Sequence, residues 1–191
     1  MQNPSKKFLI FMLLFLSACS NSNNNNHPNE IATNEKPASS DLKRSAANEF
    51  GYFKPDGDSL IIPTFKIEVS LSPKAKAKLS KNNETIIVSA SFSGVPKDTT
   101  SEDFQNSGEI GIAGKDIEIK NGSIAKFENI RFPKSLYDSL SDKDIQLLIN
   151  VFSGRHSSPD NLLNCGIIQE KMSKVKGKIF TIDCKLIYGE D

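Results

Sequence analysis

Phe65, Ile67, Val69 and Leu71 alternate with Lys66, Glu68, Ser70 and Ser72, and Ile86, Val88, Ala90 and Phe92 alternate with Ile87, Ser89, Ser91 and Ser93. A period of two puts one set of side chains on each face of a strand, so both segments read as strands with one buried and one wet face. Asp144 to Ser153 is more continuously apolar, through Ile145, Leu147, Leu148, Ile149, Val151 and Phe152. That pattern fits a central strand covered on both faces or a short buried helix, and the valine and phenylalanine near its end favour the strand. Ile117-Glu118-Ile119-Lys120 runs into Asn121-Gly122, and Ile124, Phe127, Ile130 and Phe132 follow. Asn-Gly readily takes the two positive φ angles of a tight hairpin turn, which predicts a hairpin here. Gly108–Gly114 lacks the strand-to-helix setting of a dinucleotide loop and reads as a strand or a pair of bulges.

Two short helical turns interrupt this pattern. Ser72-Pro73 before Lys74–Leu79, and Pro133 before Lys134–Leu140, each place a proline at a first helical turn, where its missing N–H costs nothing. At least six strands with little helix predict a mainly β chain: an antiparallel β-sandwich with Greek-key connections, one or two short helical turns and one disulfide. At the level of architecture alone this resembles immunoglobulin-like or transthyretin-like domains. The chain has no tryptophan, and so lacks the buried one of immunoglobulin domains.

The N-terminus follows a different rule. Lys6-Lys7 precede the nine-residue apolar run Phe8–Leu16, which closes on Ser17-Ala18-Cys19. A charged start, an apolar stretch and small residues make a secretory signal, and the run is too short for the roughly 17–25 residues of a membrane span. Leu16-Ser17-Ala18-Cys19 closely resembles the lipobox of bacterial prolipoproteins. That resemblance implies cleavage after Ala18, diacylation of Cys19 through a thioether and acylation of the new amine. Several acyl chains give stable anchoring, because each buried methylene contributes about 0.8 kcal/mol and one chain holds only reversibly. Residue 20 is serine rather than aspartate, which resembles the outer-membrane sorting signal of enterobacterial-type lipoproteins. The expected address is the outer membrane, lipid-anchored, on its periplasmic face.

Removing residues 1–18 takes Lys6 and Lys7 with it and leaves 22 basic against 23 acidic side chains. Nucleic acid and polybasic attachment to anionic lipid both need a clustered basic face, and no run supplies one. From Ser20 to Gly57 the composition is rich in Asn, Ser, Pro and Glu, with few large apolar groups to offset the entropy of ordering. Residues 19–57 are therefore expected to form a lipidated, disordered tether, spanning about 35 Å root-mean-square as a flexible coil. Residues 58–191 are left as a single domain of ordinary size.

With Cys19 committed to lipid, Cys165 and Cys184 remain as a pair in an oxidising compartment. Antiparallel pairing about a turn between Lys174 and Val175 sets residues opposite each other whose numbers total 349. Cys165 then faces Cys184, Ile167 faces Ile182, and Gln169 faces Phe180. On the last strand Phe180, Ile182, Cys184, Leu186 and Tyr188 share one side. A structural disulfide is the expected outcome. A zinc site needs about four ligands, and the domain offers two cysteines and one histidine, His156. A redox pair would more naturally sit as Cys-x-x-Cys.

No Gly-x-Ser-x-Gly elbow, phosphate-cradling Gly-rich loop, His-Glu-x-x-His helix or calcium loop occurs, so no catalytic residue, metal or cofactor is expected. One polar segment stands out, Gly154-Arg155-His156-Ser157-Ser158-Pro159-Asp160-Asn161. As a loop it would present Arg155, His156 and Asp160 to a partner. As a plain turn, Ser158 would cap a helical turn starting at Pro159. The expected function is a non-enzymatic protein-binding or envelope-assembly module with a periplasmic protein partner. The alternative is an immunity or inhibitor lipoprotein against a periplasmic toxin or hydrolase. A small enzyme would require His156 beside carboxylates in a deep pocket.

Overall fold

In the computed structural model, which describes residues 49–189, both alternating segments are strands with their apolar sets inside. They are β3 (Phe65–Leu71) and β4 (Ile86–Gly94), which follow β1 (Lys54–Asp56) and β2 (Ser59–Ile61). Between them lies α1 (Pro73–Lys81), capped by Ser72, whose hydroxyl accepts from the Ala75 N–H at 3.1 Å. The expected proline start is in place. Beyond β4 the chain runs through α2 (Glu102–Ser107), β5 (Ile110–Ile119), β6 (Ile124–Phe127), β7 (Arg131–Pro133) and α3 (Lys134–Ser139). It finishes with β8 (Gln146–Ser153), β9 (Leu163–Cys165), β10 (Ile168–Lys171), α4 (Met172–Val175) and β11 (Ile179–Leu186). Pro133 is the cap of α3, one position earlier than a first-turn proline. The helices α2 and α4 had no signal in the proline pattern.

The protein is mainly β, with several sheets, short helices and one disulfide. One four-stranded sheet has the order β10-β8-β4-β5, a second β6-β3-β11-β9, and a small sheet joins β1-β2-β7. A continuous core includes Ile86, Val88, Phe92, Leu147 and Ile149 from the first sheet and Phe65, Ile67, Val69, Phe127 and Ile182 from the second. Phe65 stacks on Phe127 at 4.9 Å and meets Phe92 of the other sheet edge-on at 6.2 Å. The second sheet is not wholly antiparallel, because β11 runs parallel to β3, with Ile182 opposite Val69.

Four local expectations are corrected. The strand β8 is central as expected, but only one of its faces is covered: Leu147, Ile149 and Val151 are buried while Leu148 is exposed. Asn121 and Gly122 do take positive φ (56° and 68°), as a tight turn requires, yet the strands they join belong to different sheets. The turn is a corner of the sandwich, not a hairpin. The register totalling 349 holds from Leu163↔Leu186 to Cys165↔Cys184 and then fails. After Gly166 the chain leaves the second sheet and joins the first as β10, so Gln169 faces Leu148 rather than Phe180, and Ile167 is exposed. The cause is α4, whose buried Met172 and Val175 fill the space where a hairpin turn was expected and separate the strands on either side. Finally, the packed structure begins before residue 58: Phe53 is buried against Phe132 and Tyr137, and Phe50 lies edge-on to Tyr137.

The Gly108–Gly114 segment opens β5, and its ladder with β4 breaks register between Phe92 and Ser93, which is the bulge its glycines suggest. The disulfide joins Cys165 to Cys184 across neighbouring strands, with Cα atoms 4.1 Å apart. The signal, Cys19 and the tether as far as Asn48 lie outside the described residues.

Candidate functional site

The loop from Gly154 to Leu162 joins β8 to β9, and a single buried carboxylate organises its first half. That carboxylate is Glu84, placed by the end of α1. Asn83 takes a left-handed φ of 52°, the Glu84 N–H closes back on the Leu79 carbonyl at 2.9 Å, and Thr85 leads directly into β4. One more rung then joins the strands, from the Gly154 N–H to the Thr85 carbonyl at 2.9 Å. No larger residue fits at Gly154, where an added Cβ would lie 2.0 Å from the Thr85 hydroxyl and 3.0 Å from the His156 ring.

Arg155 reverses the chain with a left-handed φ of 63°, which a non-glycine residue holds only when its surroundings impose it. The imposing group is Glu84. Its carboxylate accepts from the N–H of His156 at 3.1 Å, the N–H of Ser157 at 2.7 Å, the hydroxyl of Ser157 at 2.5 Å and the N–H of Thr85 at 3.0 Å. At 3 % exposure, burial alone would raise the Glu84 carboxyl, but these four donors outweigh it and hold the group down at about 2.

The loop's side chains face outward. The His156 ring Nε2 lies 2.7 Å from Glu118 Oε1 on β5, in a pair about half exposed on both sides. The neighbouring Thr85 hydroxyl and that imidazole keep Glu118 below the usual carboxylate range. The Arg155 guanidinium stands over the Phe152 ring, 5.8 Å from its centroid. Arg155 and His156 are thus presented side by side from one stiffened turn. Asp160 is exposed too, but among the described residues no hydrogen bond or ion pair joins its carboxylate to either of them. Nor does a helix start at Pro159: Ser158 accepts from the Asp160 N–H at 3.3 Å in an irregular turn.

Asn161 secures the second half. Its side-chain oxygen accepts from the N–H of Ser153 at 2.9 Å and the N–H of Leu163 at 3.0 Å, while its amide donates to the Leu163 carbonyl at 2.8 Å. Ser153 answers by accepting the Leu162 N–H at 2.9 Å. Glu84 and Glu118 were not among the residues the sequence singled out, and Asn161, the last residue of the segment that stood out, holds the loop's return instead of the start of a helical turn. Glu84 sits in the polar run Lys81-Asn82-Asn83-Glu84, whose composition is that of any solvated connection.

Ser157 gives its hydroxyl proton to Glu84 rather than to His156, so the two side chains best suited to nucleophilic chemistry are not paired. Among the described residues no three carboxylate, imidazole or thiol groups converge as a metal site, and no helix is long and apolar enough to cross a membrane. The arrangement suits recognition: a cation over an aromatic ring and an imidazole–carboxylate pair, on a backbone fixed from beneath. Compared with known proteins, the chain matches no protein-family model, and no curated protein or solved structure matches it.

Proposed function

We propose that the mature chain is a lipid-anchored, periplasm-facing module of the outer membrane that acts by protein contact rather than by catalysis. The observation that carries this is the buried Glu84 carboxylate, whose four hydrogen bonds rigidify a turn that presents Arg155 and His156 to solvent. A fixed loop on a rigid scaffold lowers the ordering cost of binding. The lipobox at Leu16–Cys19 supports the address, and the Ser157–Glu84 pairing, which leaves His156 without a nucleophile, supports a non-catalytic role.

Photo-crosslinking in cells tests the reading. A photoreactive residue at position 156 or 160 of the full-length protein is expected to give one discrete protein adduct, and one at Lys76 on α1 none. Absence of any adduct from the loop positions, or equal adducts from all three, would overturn it.

A further inference from the structure

Beneath the loop the first sheet lacks a piece of strand. The Gly154 N–H bonds to the Thr85 carbonyl, so alternation points the N–H and C=O of Ile145, Ile149, Val151 and Ser153 away from β4. Three of these have partners on that side: the Ile145 carbonyl accepts the Met172 N–H at 2.9 Å, Ile149 pairs with Ile168 of β10, and the Ser153 N–H donates to Asn161. The ladder with β10 stops at Ile168↔Ile149. The next rung would set Gly166 against Val151, but the Gly166 N–H donates to the Asp183 carbonyl in the other sheet at 3.2 Å.

The facing edge behaves alike. Bonds from Gly166 to Asp183 and from Ile187 to Leu162 fix the alternation of β9, which turns the backbone groups of Leu163 and Cys165 away from β11. The Asn161 amide takes those of Leu163. What lies between is a notch of about 310 Å³, lined among others by Val151, Leu163, Cys165, Ile167 and Ile187. Ile167 is 67 % and Ile187 40 % exposed.

We propose that this notch takes one extended segment of a partner protein, laid along β8 where β10 stops short, with an apolar side chain against Ile167 and Ile187. The occupant is a peptide because alternation turns the backbone N–H and C=O of Val151 toward the notch, and an extended chain carries the matching acceptor and donor at strand spacing. Asn161 shows the chemistry in place: one rung along, a side-chain amide supplies to Ser153 what a strand would supply to Val151. Sheet edges attract such pairing unless they are blocked, and among the described residues no charged side chain lines this notch.

This rests on the protein-contact reading above and names its site. The test is selection of a random heptapeptide phage library on the full-length protein in detergent, in parallel with Ile167→Asp/Ile187→Asp. Both positions are exposed, and an unchanged melting temperature serves as the control. A selected heptapeptide, made synthetically, is expected to bind the double variant at least tenfold more weakly. It should slow hydrogen exchange at Val151 and Cys165 at least tenfold, and lose at least tenfold in affinity when its central amide is N-methylated. No peptide that discriminates the two proteins, or one that leaves those two amides unchanged, overturns the proposal. So does protection at Val151 without peptide: loss on dilution would assign the notch to a second copy, and persistence to the chain's own leading segment. Crosslinks from position 156 that persist in the double variant would sink the notch alone, whereas absence of crosslinks in the unaltered protein would sink the contact reading.

Discussion

Glu84 illustrates how one side chain can couple stability to pH. Its folded carboxyl titrates at about 2 against an ordinary 4.5, so the folded state binds its proton more weakly than the unfolded chain. A depressed folded value contributes stability that is fully present above about pH 4.5 and is lost as pH falls toward 2. At about 1.4 kcal/mol per unit this is roughly 3–4 kcal/mol. Glu84→Gln should therefore lower stability by about that much at pH 7, and the gap to the unaltered protein should close between pH 4.5 and 2. Urea denaturation at stepped pH checks it; a gap constant with pH would mean that the carboxylate is not the organising charge. His156→Ala, by contrast, removes only an exposed pair with Glu118 and should leave stability nearly unchanged. At this scale the sequence was legible where chemistry is local: Cys165 and Cys184, the proline start of α1 at Ser72-Pro73, the positive φ at Asn121-Gly122. Glu84 was not, because its four partners come from Thr85 and from a loop more than seventy residues away.

The strands were legible by period, but their partners were not. Alternation identifies a buried face without saying which sheet it faces, and Asn121-Gly122 and Gly166 both sit where the chain changes sheets. Two substitutions probe these corners. Gly122→Ala would place a Cβ 2.9 Å from the Val69 carbonyl at a φ of 68°, and should cost about 1–3 kcal/mol, read from thermal or urea midpoints. Losing the disulfide through Cys165→Ser with Cys184→Ser should cost about 2–5 kcal/mol. The loss should be accompanied by faster exchange at Leu163–Cys165, since β9 has only three residues to hold it to β11. A double serine variant as stable as the parent would show that the β9–β11 pairing and its packing suffice without the bond.

Across the whole molecule, the parallel pairing of β3 with β11 ties a strand near the start of the packed region to its last one. The loop between β8 and β9 then projects from a frame closed at both ends, with Glu84 beneath it and Asn161 at its return. Fold class was readable because at least six short alternating segments with little helix admit few architectures. The site was readable as a segment but not as a geometry: Arg155 and His156 are presented together, whereas Asp160 stands apart. The function proposed for this frame depends on where the chain is held, and Leu16-Ser17-Ala18-Cys19 makes that claim sharp. The most direct test is the intact mass of the protein purified from bacterial membranes. A chain beginning at Cys19, with the added mass of a diacylglyceryl group and an amine-linked acyl chain, is the expected result, together with loss of membrane association in Cys19→Ala. A mature chain that begins elsewhere, or carries no lipid at Cys19, would contradict the account.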